Sequence, residues 1–485
     1  MKETSRPLSK GGAVFCHMRS AVERRHYKIT LVGPADCNEP SSHSLQRTRH
    51  SYSNLSQHSL SVLHHEVQPG SCQHCLGEPC GCHPSFESQR ARRFRRLVHP
   101  FCPRIRKQLT WEDRDYGSGC KYGDKRCCKY QDSEYPSNDW GYPVEHSYKK
   151  RHTIYVKYGK SIQAAINKAS CGDKIVVAPG TYAEQITIDK DGIQLIGHNA
   201  IIVPPAKPYK NTCSGLAGPK TQAGICVTGS GIKFTKFVTE HKKVISVKTH
   251  VNDVLITGFQ VNKFSGLNIA VVGARNARVT KNSLTDGAKY GALTVGSINS
   301  HIDDNFVTAS VLGSIGICMD NQNGVLVNKN HVSNHFFGLC VQTKMADVQY
   351  NHVEGCCFGV FVDPYVYGAK IRHNTIGANN PICKDIGFAA GIVIDGAIKS
   401  KVLDNVIEDQ KIGGKGTGIV LVDDECTEDP LSISCKAFGQ KAESSGNIIL
   451  RNIMRRNDID IFVNTTGHGN IIACNECSLP KKLCE

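Results

Sequence analysis

From residue 160 onward, apolar positions fall into short runs of two kinds. Ile162, Ala165, Ile166 and Ala169 share one helical face, with Ser161 placed to cap the amino terminus and Gly172 to stop the helix. The spacing then changes to alternation: Lys174 to Ala178, Gln185 to Ile188 and Ile193 to Ile196 read as strands, separated by turns at Pro179-Gly180 and Asp191-Gly192. A short helix leading into short strands is predicted.

From residue 250 a longer period overlies the alternation. Asn282, Asn305, Asn330, Asn351, Asn374, Asn405, Asn452 and Asn475 lie mostly 21 to 25 residues apart; gaps of 31 and 47 predict a loop insertion and a missed or lengthened coil. An apolar residue stands three positions before each Asn (Val279, Ile302, Val327, Val348, Ile371, Val402, Ile449, Ile472). Another stands two positions after it (Leu284, Val307, Val332, Val353, Ile376, Ile407, Met454, Cys477). In a second register Gly266, Gly291, Gly316, Gly338, Gly359, Gly391 and Gly418 each open a strand. A rung of ~22 residues holding short parallel strands, stacked at ~4.8 Å, buries its interior only against its neighbours. The pattern predicts an all-β parallel β-helix solenoid. Its corner Asn is expected to adopt left-handed backbone and to bond to the Asn of the next rung.

Ser161 to Gly197 resembles the N-terminal turn of the pectate-lyase-like right-handed β-helix superfamily, and the later coils look like its NosD-like repeats. The resemblance covers roughly residues 154 to 478. It implies a right-handed solenoid and leaves the activity open, because one scaffold hosts many chemistries. Gly180-Thr-Tyr182-Ala-Glu184 matches a pectin methylesterase string that belongs to the shared turn, so Glu184 is read as structural. Gly467-His468-Gly469 looks like the Gly-His-Gly of polygalacturonases, yet their Asp-Asp partner is matched in a repeat corner only by Asp303-Asp304, whose second residue stands 164 positions before His468. Asp363-Pro364 is similar to the start of the Asp-Pro-His-Asp string of alginate C5-epimerases, whose first Asp is catalytic; Tyr365 and Val366 replace the last two residues.

Counted from each strand-opening Gly, positions +1 and +3 face inward and +2 and +4 outward. Position +4 gives Asp320, Gln342, Asp363 and Asp395, and position +2 gives Cys318, Cys340, Phe361 and Val393. A carboxylate row beside an apolar stripe predicts a groove. Asp363, Asp395 and Asp320 are the candidate catalytic residues; Gln342, Phe361 as a stacking platform, and Lys370 and Arg372 for uronate charge are the candidate substrate contacts. Backbone separations of ~4.8 Å for adjacent rungs and ~9.6 Å for alternate rungs suit an acid/base pair, or a shared calcium ion between Asp363 and Asp395. The bland alternative is that Asp at +4 starts the next corner. A second outward row, Ser283, Phe306, His331, His352 and Thr375, stacks two imidazoles that could begin a Cu or Zn site, with no third ligand in that register.

Composition divides the chain near residue 150. Residues 1–150 hold 24 Lys/Arg and 15 Asp/Glu, with eight Ser between residues 41 and 66 and no apolar rhythm, which predicts a basic, Ser/Cys/His-rich, mostly disordered arm before a β-helix over 151–485. At most a short strand or loop near residues 135 to 158 is expected to be pinned to the first coils. Arg90 to Lys107 reads as a solvated basic tail rather than a nucleic-acid site. Cys72, Cys75, Cys80, Cys82 and His83 lack the second knuckle of a zinc ribbon.

No apolar run reaches the ~18 residues of a membrane span, and the first thirty residues show no secretory apolar stretch. Loop-closing pairs (Cys213 with Cys226, Cys426 with Cys435, Cys474 or Cys477 with Cys484) and the sequon at Asn464 nevertheless favour secretion. Cys318, Cys340, Cys356 and Cys357 read as packed thiols. The expectation is an extracellular monomer acting on a polysaccharide as hydrolase, lyase or epimerase, without a bound cofactor. Its rival is a non-catalytic β-helix module that binds polysaccharide or protein, with the stripe at Cys318, Cys340, Phe361 and Val393 covered by a partner or by the arm.

Overall fold

The computed structural model describes residues 151–237, 239–426 and 438–484; the expectations for the arm lie outside them. Thr153–Val156 pairs in parallel with Lys174–Val177, which in turn pairs with Gln194–Val203. The predicted helix spans Ile162–Lys168 and buries Ile162, Ala165 and Ile166 against the first coil. Ser161 Oγ accepts from the Ala164 N–H at 3.1 Å. The carboxylate of Glu184 adds a second cap, accepting the N–H groups of Ile162 and Gln163 at 3.0 and 3.1 Å and the Ser161 hydroxyl at 2.9 Å. A negative charge at a helix amino terminus satisfies otherwise unpaired donors and suits the helix dipole, so Glu184 is structural.

The coils build a right-handed parallel β-helix of three strand stacks. The first carries Gln194 to Gly197 through Ile298–Asp303 to Ile471–Ala473. The second runs through Ser283–Thr285, His352–Glu354 and Ile453–Arg455. The third, opened by the recurring Gly, runs through Tyr290–Val295, Phe358–Val362, Ala390–Asp395 and Ile459–Asn464. Thr153–Val156 forms a strand at the start of the coils, and the part of the 135 to 158 window before residue 151 lies outside the described residues.

Between the first and second stacks, each corner Asn donates from its backbone N–H and its side-chain Nδ2 to the Oδ1 of the next Asn, at 2.9–3.1 Å from Asn282 to Asn475. Nδ2 also reaches a carbonyl of the preceding rung, such as Val327 O from Asn351 at 3.0 Å. The expected Asn-to-Asn bonding is present. The expected left-handed backbone is not on the Asn but on the residue before it: Lys281, Asp304, Lys329, Tyr350, His373, Asp404, Arg451 and Cys474 have φ of 54–57°. Bonding through both amides needs the Asn side chain buried inward, and the preceding residue makes the turn.

The gap of 31 holds an inserted segment with the helix Cys383–Ile386, and the gap of 47 is one lengthened coil, since Val406 pairs directly with Ile453. Two apolar layers result. The continuous inner core includes Ile317, Val360 and Ile392. A second layer lies on the outside of the third stack and contains Cys318, Cys340, Phe361 and Val393 with Leu216, Tyr290, Cys383 and Ile412. Disulfides join Cys213 to Cys226, Cys318 to Cys340, Cys357 to Cys383 and Cys477 to Cys484. The packed-thiol reading therefore holds for buried Cys356 alone of its four cysteines: outward neighbours on adjacent rungs lie close enough to bond. The pairing expected for Cys426 involves Cys435, outside the described residues.

Candidate functional site

The third stack sets the outward row in register. Asp320 pairs back to Val295 and Asp395 forward to Val422, with Gln342 and Asp363 on the two rungs between. The row is not open. After Thr228 the chain makes a detour through residues 229–250, whose short hairpin of Lys233–Phe234 and Val244–Ser246 lies across the outer face. Gly273 and Gly296, at φ of 59° and 57°, admit it: a Cβ on Gly296 would stand 2.5 Å from Val244.

The detour delivers three polar side chains to the row. His241, buried, bridges Tyr290 OH (Nδ1, 3.0 Å) and Asp320 Oδ2 (Nε2, 3.0 Å). The Lys243 ammonium lies 3.3 Å from Asp320 and donates to Gln342 Oε1. Gln342 Nε2 donates to Glu240 Oε2 at 2.7 Å and to Asp363 Oδ2 at 2.5 Å. Tyr290, His241, Asp320, Lys243, Gln342, Glu240 and Asp363 thus form one continuous network. Glu240, His241 and Lys243 were not singled out by sequence reasoning: they lie in no repeat register, and only the unusual length between Thr228 and Leu255 signals them.

The two carboxyls of the row sit in opposed environments. Burial, followed by the charge of Glu240, pushes Asp363 well above the ordinary carboxylate value. At Asp320 burial acts the same way, but Lys243 and His241 outweigh it and hold the carboxyl below its ordinary value. Asp363 therefore favours the protonated acid and Asp320 the anion, the division of labour of an acid/base pair. The Lys243 side chain is 45% exposed and that of Asp320 17%, so the network meets solvent at this end.

Phe361 is 3% exposed, packed edge-on against Phe337 and Phe358, and cannot serve as a stacking platform. An apolar stripe left bare costs about 25 cal/mol per Å², and the chain's own insertions cover it. Lys370 and Arg372 lie in the first stack, not beside Asp363, and Arg372 makes a bidentate pair with Asp347 at 3.0 and 2.7 Å. Asp395 belongs to a neighbouring cluster: burial and then Asp424 and Asp423 raise it well above its ordinary value. Among the described residues, no group of three His, Cys, Asp or Glu ligand atoms within 4.8 Å of one another includes Asp395. Glu240, Cys340 and Asp363 lie within 4.8 Å of one another, but Cys340 is bound to Cys318 and offers no thiolate. Asp303 is held by Arg278 at 3.0 and 2.6 Å, an ion pair within the coils rather than a partner for exposed His468.

Two surface cavities lie elsewhere. One of 550 Å³ is lined by Asp189, Asp191 and His250, and one of 560 Å³ by His198, Lys281 and Phe306.

No family of known proteins matches the chain by sequence, and no curated protein does. Among solved structures, the coils resemble DFA-IIIase from Arthrobacter chlorophenolicus without its lid, at 13% identity and a TM-score of 0.39, over 67% of this chain and 81% of that one. The A-module of a mannuronan C-5 epimerase from Azotobacter vinelandii matches at 16% identity and a TM-score of 0.38, over 66% and 91%. A family 28 exopolygalacturonase from Yersinia enterocolitica matches at 13% identity and a TM-score of 0.41, over 67% and 76%. The chain's own strand pairing gives it the parallel β-helix fold. Likeness at this level is one of scaffold, and the chemistry rests on this β-helix's own residues.

Proposed function

We propose that the protein is an extracellular carbohydrate-active β-helix enzyme acting on an acidic or neutral polysaccharide. The observation that carries the reading is the split pair on the third stack: Asp363 held toward its protonated form and Asp320 toward its anion, joined through Gln342 and Lys243. Asp363 is the acid, Asp320 the base, and Lys243 takes the role of uronate contact that Lys370 and Arg372 do not fill. Backbones two rungs apart, ~9.6 Å, set the two carboxyls at about the separation of an inverting pair, with Gln342 and Lys243 standing between them. Four disulfide pairs among the described residues support an oxidising compartment.

Acidic and neutral polysaccharides are screened with the parent protein and with Asp363→Asn and Asp320→Asn. Cleavage or epimerisation by the parent, with a loss of ~10²-fold or more in each variant, is the expected result. If the parent converts no polysaccharide, the enzyme reading fails. The burial of Phe361 favours a second reading, a non-catalytic module in which the network fastens residues 229–250 to the coils. On that reading both variants lower thermal stability and change no activity.

A further inference from the structure

On the outer face of the second stack, away from the network above, Phe306, His331 and His352 stand on successive rungs with their rings stacked, centroids 5.0 and 4.9 Å apart. Outward side chains repeat every second residue along a strand, so Glu354 shares the face of His352 one step along His352–Glu354. Its carboxylate spans the two imidazoles: Oε1 lies 3.3 Å from His331 Nε2 and Oε2 lies 3.4 Å from His352 Nε2. One ligand atom from each of the three residues falls within 4.8 Å of the others.

We propose that His331, His352 and Glu354 form a surface site for a divalent transition-metal ion of the zinc class. Two imidazole nitrogens and a carboxylate oxygen are a common ligand set for such an ion, and three protein ligands leave an outward position for water or a ligand. Donor atoms bound at ~2.0–2.1 Å around a tetrahedral ion stand roughly 3.3 Å apart; each ring already lies 3.3–3.4 Å from one carboxylate oxygen, and a single donor from each residue needs to close from within 4.8 Å, a small turn of exposed side chains. The site is accessible, with side-chain exposures of 35%, 44% and 49%. The third ligand is invisible in the row of His331 and His352, because it stands one outward step further along the strand.

The full-length protein is tested with Zn²⁺ alone. Because Cys72 to His83 and other histidines can also take up zinc, total stoichiometry does not decide the matter. The readout is local: carbethoxylation of individual histidines, followed by peptide mass spectrometry across a zinc titration. Saturable protection of His331 and His352 together, with exposed His468 unaffected, is expected. Glu354→Gln, which keeps the shape and removes the charge, should shift the protection midpoint to zinc concentrations ~10-fold higher or more, and His352→Ala should abolish protection at His331. Modification of His331 and His352 that is independent of zinc, or a midpoint unchanged in Glu354→Gln, overturns the site. These exposed side chains belong to no core, so the variants remain folded, as circular dichroism checks.

Discussion

Asn351 shows what one side chain does in this fold. Its Oδ1 accepts from both the N–H and the Nδ2 of Asn330, and its own Nδ2 serves Val327 O and Asn374 Oδ1. Asn351→Ala strands two buried donors and a carbonyl, at ~1–3 kcal/mol for each unsatisfied group, so a loss of about 3 kcal/mol or more in chemical denaturation is expected. Asn351→Asp is nearly isosteric and should also destabilise, because it sets a carboxylate oxygen in place of the donor against two acceptors, Val327 O and Asn374 Oδ1. The Asn repeat was legible from sequence because one residue type fills all eight positions. The left-handed residue before it was not, because Lys, Asp, Tyr, His, Arg and Cys share that place. A turn made by backbone alone leaves no common side chain to read.

His335 belongs to the same scale. It is fully buried, neither ring nitrogen has a hydrogen-bond partner, and burial depresses its pKa from 6.5 to about 4. The unfolded chain binds the proton near 6.5 and the folded chain only near 4, so stability is intact above 6.5 and falls as the pH drops toward 4. The loss amounts to about 3 kcal/mol at ~1.4 kcal/mol per pH unit. Raised Asp363 and Asp395 act in the opposite sense, stabilising the fold as they protonate. The difference between the parent and His335→Leu in denaturation midpoints from pH 7 to pH 4 isolates the histidine, and a parallel pair of curves would refute it.

Among elements, the insertions decide what the sheet can do. Gaps of 31 and 47 residues announced insertions, and the alternation announced an outward stripe at Cys318, Cys340, Phe361 and Val393. What covered that stripe was not legible, because an insertion's path over a neighbouring stack is set by tertiary contacts and carries no period. The same limit hid Glu240, His241 and Lys243 and misplaced Lys370 and Arg372, whose strand belongs to another stack. The segment around Cys383–Ile386 is anchored by the Cys357–Cys383 bond across 26 residues. Cys357→Ala with Cys383→Ala should cost about 3 kcal/mol, mostly by freeing the unfolded chain. Proteolysis of the double variant should cut first between residues 377 and 389 while the coils remain intact.

At the scale of the whole β-helix, the three stacks join each coil only to its neighbours, so the inner core accumulates stability rung by rung, and Glu240 and His241 add outer ties that reach several rungs on. The amino-terminal end is plugged by Ile162–Lys168 and capped through Glu184. At the other end the last first-stack strand, Ile471–Ala473, is only half-buried, whereas Phe358–Val362 in the middle is buried throughout. Hydrogen exchange followed by mass spectrometry should therefore show protection falling from the rungs around residues 302–394 toward residues 448–473. Uniform protection along the described coils would mean that the solenoid opens as one unit.

The Asn column also has a direction. Every link from Asn282 to Asn475 runs donor to acceptor toward the carboxyl terminus, and the first acceptor, Asn282 Oδ1, is taken by the Phe259 N–H at 3.1 Å. Such a column is spliced like a one-way thread. Removing or duplicating one whole period, at whatever phase it is cut, still presents each amide with the oxygen it expects, whereas a change of any other length leaves two hands reaching for the same partner. Plain coils can thus be lost or duplicated as whole periods, lengthening or shortening the rod, while those tied on the outside by the Cys318–Cys340 bond or by Glu240 and His241 cannot.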